Sequence, residues 1–144
     1  MSYGEFTLKK VRDDFGLTLV EGDRFLPTIS PVVPGSYLVK FLQESIPLAI
    51  GTGSEKARSE LIISPLLLEV RRQTQRQVSI FSGEDFTVDA SVGLNGVCDF
   101  LISRSTEQML IEAPVVIILE AKKGDLKPGL GQCIAEMVAA QRFN

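Results

Sequence analysis

The sequence predicts an α/β domain, and three observations lead there. An apolar helical stripe covers roughly residues 55–75, strand-like alternation and β-branched runs follow between Val78 and Ala121, and a helical pattern returns from Gly131 or Gln132 to Arg142. Helix, three strands, helix is the order of a layout in which helices cover a small mixed sheet. The 144 residues suit a single domain with a real core. Residues 1–53 read as an N-terminal extension packing on a core of residues 54–144.

Residues 1–34 are irregular in character, with Phe6–Val11 as a candidate short strand. Arg24–Gly35 contains three prolines and is expected to be extended or turn-rich. Ser36–Ile50 supports a short helix that Pro47 ends or kinks. Gly51–Ser54 is a loop in which Ser54 can cap the next helix, Glu55 to Gln75. Pro65 lies inside that helix, so the segment is a kinked helix or two shorter ones.

Val78–Gly83 reads as a strand, and Phe86–Ala90 as the next strand or its continuation. Gly93–Gly96 is a tight turn. Val97–Ser103 is then a strand, with Val97, Asp99 and Leu101 on one face. Arg104–Gln108 is a polar loop, and Met109–Ala113 a short strand or an extended approach to Pro114. Val115–Ala121 is continuous, β-branched and apolar, which predicts a central strand buried on both faces. After a lysine- and glycine-rich loop comes the last helix, with Ile134, Met137, Val138 and Gln141 expected to face inward.

Composition narrows the chemistry. Hydrophobic content is 44% and charged content 23%, values ordinary for a globular protein. No apolar run reaches the ~18 residues of a membrane span, and the N-terminal residues lack a signal-peptide pattern, so a cytoplasmic location is expected. Cys98 and Cys133 are expected to be buried thiols. With no histidine, Ser-His-Asp and Cys-His catalysis are excluded, as are histidine-dependent nuclease motifs; no P-loop is present either. A net charge of −3 argues against coating nucleic acid through general electrostatics. Without tryptophan and with only Tyr3 and Tyr37, the sequence shows no obvious platform for stacking bases.

What remains is carboxylate, lysine and metal. Glu120 and Lys122 point to one side of their strand, and twenty residues separate Glu120 from Asp99, enough for a hairpin that makes the carboxylates neighbours. Close like charges raise each other's pKa, and a divalent cation relieves the repulsion. Mg²⁺, with Mn²⁺ as its substitute, favours one or two carboxylates, retained waters and substrate phosphate. Lys122 is placed to hold an attacking water or offset charge. The plainer reading is a surface Glu–Lys pair without function. Arg71, Arg72 and Arg76 read as a solvated helix end or as phosphate contacts; Lys123 and Lys127 are similar.

These residues resemble the PD-(D/E)XK nuclease superfamily, and more narrowly its uncharacterised cyanobacterial-type members. Those pair an S-E-K-A-R-S-E-L-I-I-S-P-L-L-L-E-V-R-R helix with a G-L-N-G-x-C-D-F strand, as Ser54–Arg72 and Gly93–Phe100 do here. The resemblance implies a restriction endonuclease-like three-layer α/β/α core. It makes Asp99 and Glu120 the metal ligands and Lys122 the motif lysine. Gln132 becomes the polar residue of the following helix, and Glu60 the acidic residue of the first core helix. The implied activity is Mg²⁺-dependent hydrolysis of DNA, or of RNA. The alternative is an inactive member that binds nucleic acid or serves assembly. Cys98 stands where the motif has proline. The implied core has one more strand after the last helix, and its absence leaves a sheet edge that predicts a homo-oligomer.

Overall fold

The computed structural model describes residues 1–22 and 26–144. Three strands, β1 (Ser79–Asp85), β2 (Val97–Ser103) and β3 (Val115–Leu119), form a sheet of order β1-β2-β3. Both pairings are antiparallel, Phe81 facing Leu101 and Leu101 facing Ile118. The expected mixed sheet is therefore corrected. No crossover helix separates consecutive strands, and parallel pairing needs one. Phe86–Ala90 adds no strand, although Phe86 and Val88 donate to Gly96 and Leu94 across the hairpin. Met109–Ala113 forms no strand either.

From Phe100 to Ile102 alternate residues of β2 feed two apolar clusters, as the pleat requires, while Cys98 joins the cluster of Leu101. Leu101 joins Tyr3, Phe6, Val11, Phe81 and Ala135, whereas Phe100 and Ile102 join Leu67 and Val78. The first cluster is closed by the N-terminal residues and by helix α5 (Leu130–Phe143). The second is closed by helix α4 (Ser64–Gln73). The chain is thus mixed α/β, with helices against both faces of a small sheet.

The central strand is β2, and β3 is an edge. The expectation that Val115–Ala121 is central and buried on both faces is overturned: Val116 is 47% and Ile117 40% exposed. A continuous apolar run reports burial only if something covers it, and among the described residues no strand pairs with the outer flank of β3. At the start of that flank the side-chain amide of Asn144 accepts from the Val115 N–H (2.7 Å) and donates to its C=O (2.8 Å).

The helices depart from expectation at their prolines and at the N-terminus. Residues Leu8–Phe15 form helix α1, not a strand. Thr7 caps it by accepting from the Lys10 N–H, Lys9–Asp13 and Lys10–Asp14 pair one turn apart, and Gly16 ends it in the left-handed region at φ 62°. Arg24 and Phe25, part of the expected extended segment, lie outside the described residues; residues 27–35 have no regular structure.

Helix α2 (Ser36–Thr52) runs through Pro47 instead of ending there. Gly53 stops it at φ 68°, and Ser54 caps the next helix by accepting from the Ala57 N–H at 3.0 Å. That helix starts as α3 (Glu55–Arg58) and widens into a π segment over Ser59–Ile63 before continuing as α4. The expected kinked helix or pair of shorter ones is thus met by α3 and α4 joined through a π segment just before Pro65. Proline lacks the N–H and crowds the carbonyl four residues back. The wider π turn over Ser59–Ile63, just before Pro65, is where the ladder is rearranged to admit it.

In α5 the inward face is Gly131, Ala135, Glu136, Ala139 and Ala140. Ile134 and Val138 pack at its side, while Met137 and Gln141 are exposed, which corrects the expected phase. Small residues face inward because the helix comes close: a Cβ on Gly131 would run into the backbone of Phe6 and Thr7.

Candidate functional site

The sheet brings Asp99 and Glu120 together at one end. They stand one step beyond the paired residues Phe100 and Leu119, Asp99 within β2 and Glu120 just past β3. The Asp99 N–H donates to Glu120 Oε1 at 3.2 Å, and the Ala121 N–H donates to Asp99 Oδ2 at 2.8 Å. Each strand end thus holds the other's carboxylate. Lys122 Nζ lies 3.5 Å from Glu120 Oε2 and 3.8 Å from Glu55 Oε1. Gln132, in the first turn of α5, donates through Nε2 to Glu120 Oε2 at 2.7 Å and to Glu136 Oε1 at 3.1 Å.

Four predicted residues therefore converge: Asp99, Glu120, Lys122 and Gln132. Glu60 does not bond to them. It is exposed on the π segment, 3.5 Å from Lys56, but lines the same cavity of about 430 Å³ as Asp99, with Ser59, Ser82 and Gly83. Lys123 and Lys127 are exposed on the loop that leads to α5. Arg71, Arg72 and Arg76 line another groove, and Arg72 is tied to Glu69.

Three neighbours were not anticipated. Glu55 faces Lys122, and Arg58 donates to the Lys122 carbonyl at 3.2 Å, so α3 braces the lysine's strand end. Glu136 is the larger omission. It is 0% exposed, one turn after Gln132, and its Oε2 meets no hydrogen-bond donor among the described residues. The signal was the four-residue spacing of Gln132 and Glu136, in phase with Gly131 and Ala135.

The electrostatics of the two glutamates follow from burial. Glu136 is pushed up to about 8, first by desolvation and then by the charge of Glu120. Near pH 7 Glu136 therefore tends to keep its proton. Glu120 is also raised, by burial and by Asp99, against the pull of the Asp99 amide and Lys122. Cys98 and Cys133 are raised by burial first, which makes both poor nucleophiles.

Among the described residues no three His, Cys, Asp or Glu side chains come together as a metal cluster. Asp99 and Glu120 are a pair, and a pair suits a hard cation that keeps most of its waters. Like charges held close by backbone bonds are the arrangement a cation relieves. Among the same residues no helix is long and apolar enough to cross a membrane.

The chain matches no protein-family model, no curated protein and no solved structure.

Proposed function

We propose that this is a restriction endonuclease-like domain that hydrolyses phosphodiester bonds of DNA with Mg²⁺. The observation that carries the reading is the reciprocal bonding of Asp99 and Glu120, with Lys122 and Gln132 both on Glu120. Asp99 and Glu120 would hold the cation, which supplies polarisation of a phosphate and a more acidic bound water. Lys122 holds its ammonium beside Glu120, where it can orient a nucleophilic water or offset charge as the phosphate is attacked. Gln132 fixes the Glu120 rotamer. Glu60, across the cavity from the sheet end, is a second acceptor for water.

Calorimetry with Mn²⁺ tests the reading, on the native chain and on the Asp99→Ala, Glu120→Ala double variant. Binding that disappears in the double variant, with cleavage of plasmid DNA by the native chain, is the expected result. A folded native chain that binds no Mn²⁺ sinks it.

One observation favours a second reading, an inactive domain of this type that serves assembly. The edge strand β3 exposes Val116 and Ile117 beside a cavity of about 270 Å³ that α5 also lines. Such an edge pairs readily with another strand.

A further inference from the structure

The arginines that the active-site reading leaves aside line a groove of about 340 Å³ between α2 and α4. Three of its properties point the same way.

The first is an aromatic pair. Tyr37 and Phe41, one turn apart on α2, place their rings 6.2 Å apart at 31°, and Tyr37 is 66% exposed. An exposed aromatic face beside guanidinium groups is what an unpaired base can stack on. Counting only Trp and Tyr in the sequence misses this platform, although the predicted helix over Ser36–Ile50 already sets Phe41 one turn from Tyr37.

The second is the arginine placement. Arg71, Arg72 and Arg76 all line the groove, against the carboxylates of Glu60 and Glu69. Glu69 is occupied by Arg72, Gln73 and the Gly35 N–H, and Glu60 by Lys56, which leaves Arg71 and Arg76 free of them. The Nε of Arg71 is buried with no acceptor among the described residues. Arg76 lines the groove just past α4, where Gln75 and Arg76 close the helix in left-handed backbone, at φ 55° and 60°, and their N–H groups bond the Arg72 and Arg71 carbonyls at 3.1 and 2.8 Å.

The third is continuity. Glu60, Ser64, Leu68, Arg72 and Arg76 follow at four-residue spacing and all line the groove. Glu60 and Ser64 also line the cavity that contains Asp99. The ridge from Glu60 to Arg72 is about 18 Å long, which matches about five stacked nucleotides.

We propose that this groove is a track for single-stranded nucleic acid, which Tyr37 and Phe41 grip by its bases and Arg71 and Arg76 by its phosphates, and that leads into the Asp99 cavity at Glu60. A duplex keeps its bases paired and cannot offer them to Tyr37. The inference names the substrate form for the site proposed above and rests on that reading for the role of the track. Binding in the groove can be measured apart from cleavage.

The experiment is fluorescence anisotropy with a labelled oligothymidylate of about 12 nucleotides, against a duplex of equal length, in EDTA. The single strand is expected to bind more tightly than the duplex. Tyr37→Ala should weaken it about 5- to 100-fold, and Tyr37→Phe should restore most of the loss. Arg76→Ala should flatten the log–log salt dependence by about 0.7. Because Tyr37 is largely exposed, the variants should keep the native circular dichroism spectrum. Equal affinity for the duplex overturns the proposal, as does an unchanged Tyr37→Ala, or binding of a polyglutamate peptide with none of the oligonucleotide. Tight single-strand binding by a chain that takes no Mn²⁺ leaves the track standing and removes the nuclease reading. Cleavage with a Tyr37→Ala variant of native affinity does the reverse.

Discussion

Asp99 and Glu120 are each fixed by an amide on the other's strand: the Asp99 N–H bonds the Glu120 carboxylate, and the Ala121 N–H bonds the Asp99 carboxylate. The site is therefore built from the sheet ladder itself, continued by side chains past its last backbone rung. Removing either carboxylate has a structural cost as well as a chemical one, and the two can be separated.

Asp99→Asn keeps an oxygen for the Ala121 N–H, whereas Asp99→Ala leaves that amide unsatisfied beside a buried Ala121. Urea denaturation should place the alanine variant about 1–3 kcal/mol below the asparagine variant. Both should lose Mn²⁺ binding. Equal stability of the two would show that the Ala121 amide does not depend on Asp99.

Lys122→Ala should abolish DNA cleavage and leave Mn²⁺ binding in place. The ammonium is partly exposed and shared between Glu120 and Glu55, so stability should change by no more than about 1 kcal/mol. Cleavage retained in this variant would remove Lys122 from its role.

Glu136 makes stability depend on pH in a particular direction. Its folded pKa, about 8, lies above the ordinary carboxyl value of 4.5. The native state holds the proton more tightly than the unfolded chain, so this contribution is complete below about pH 4.5 and is lost as pH rises through about 8. Thermal melting of the native chain should fall between pH 5 and 9, by the equivalent of about a few kcal/mol. Glu136→Gln should flatten that fall. An identical slope in both proteins would contradict the assignment of the proton to Glu136.

Two glycines should respond oppositely to alanine. Gly51, in α2 with open space around it, should gain about 0.5–1 kcal/mol on Gly51→Ala. Gly131→Ala drives a methyl group into the Phe6–Thr7 backbone and should lose about 1–3 kcal/mol or more. Chemical denaturation of the pair tests whether α5 packs as closely as described.

The exposed face of β3 is expected to support self-association. Light scattering at micromolar concentration should report a dimer or larger species, and Val116→Lys should reduce it to monomer. A monomeric native chain would leave the edge without that role.

Much of the sheet is written in its residues. The strands β1 and β2 and the Ser54 cap follow from local patterns, and so does the meeting of Asp99 with Glu120; the reversal between the strands, expected at Gly93–Gly96, falls instead at Ala90–Gly93, between the bridged Asp89 and Leu94. What escaped depends on neighbours. The Phe6–Val11 segment alternates well enough for a strand, yet Thr7, the paired Lys and Asp residues and Gly16 close a helix over it. The hydrophobicity of β3 marks it as a strand but is silent on whether its flank is covered. In α5 the large apolar residues suggested the wrong inward face, because a closely approaching helix turns its smallest residues to the core. That same error hid Glu136, a carboxyl group whose burial makes sense only beside Glu120 and Gln132.

The amide of Asn144 has a consequence for the open flank of β3. Carrying one donor and one acceptor in the spacing of a peptide group, it occupies the place where a neighbouring chain would make its first contact with Val115. A strand arriving along that flank must displace it or begin farther along, toward Ile117 and Leu119. One side chain thus acts as an end-stop, permitting some alignments of an incoming segment and forbidding others.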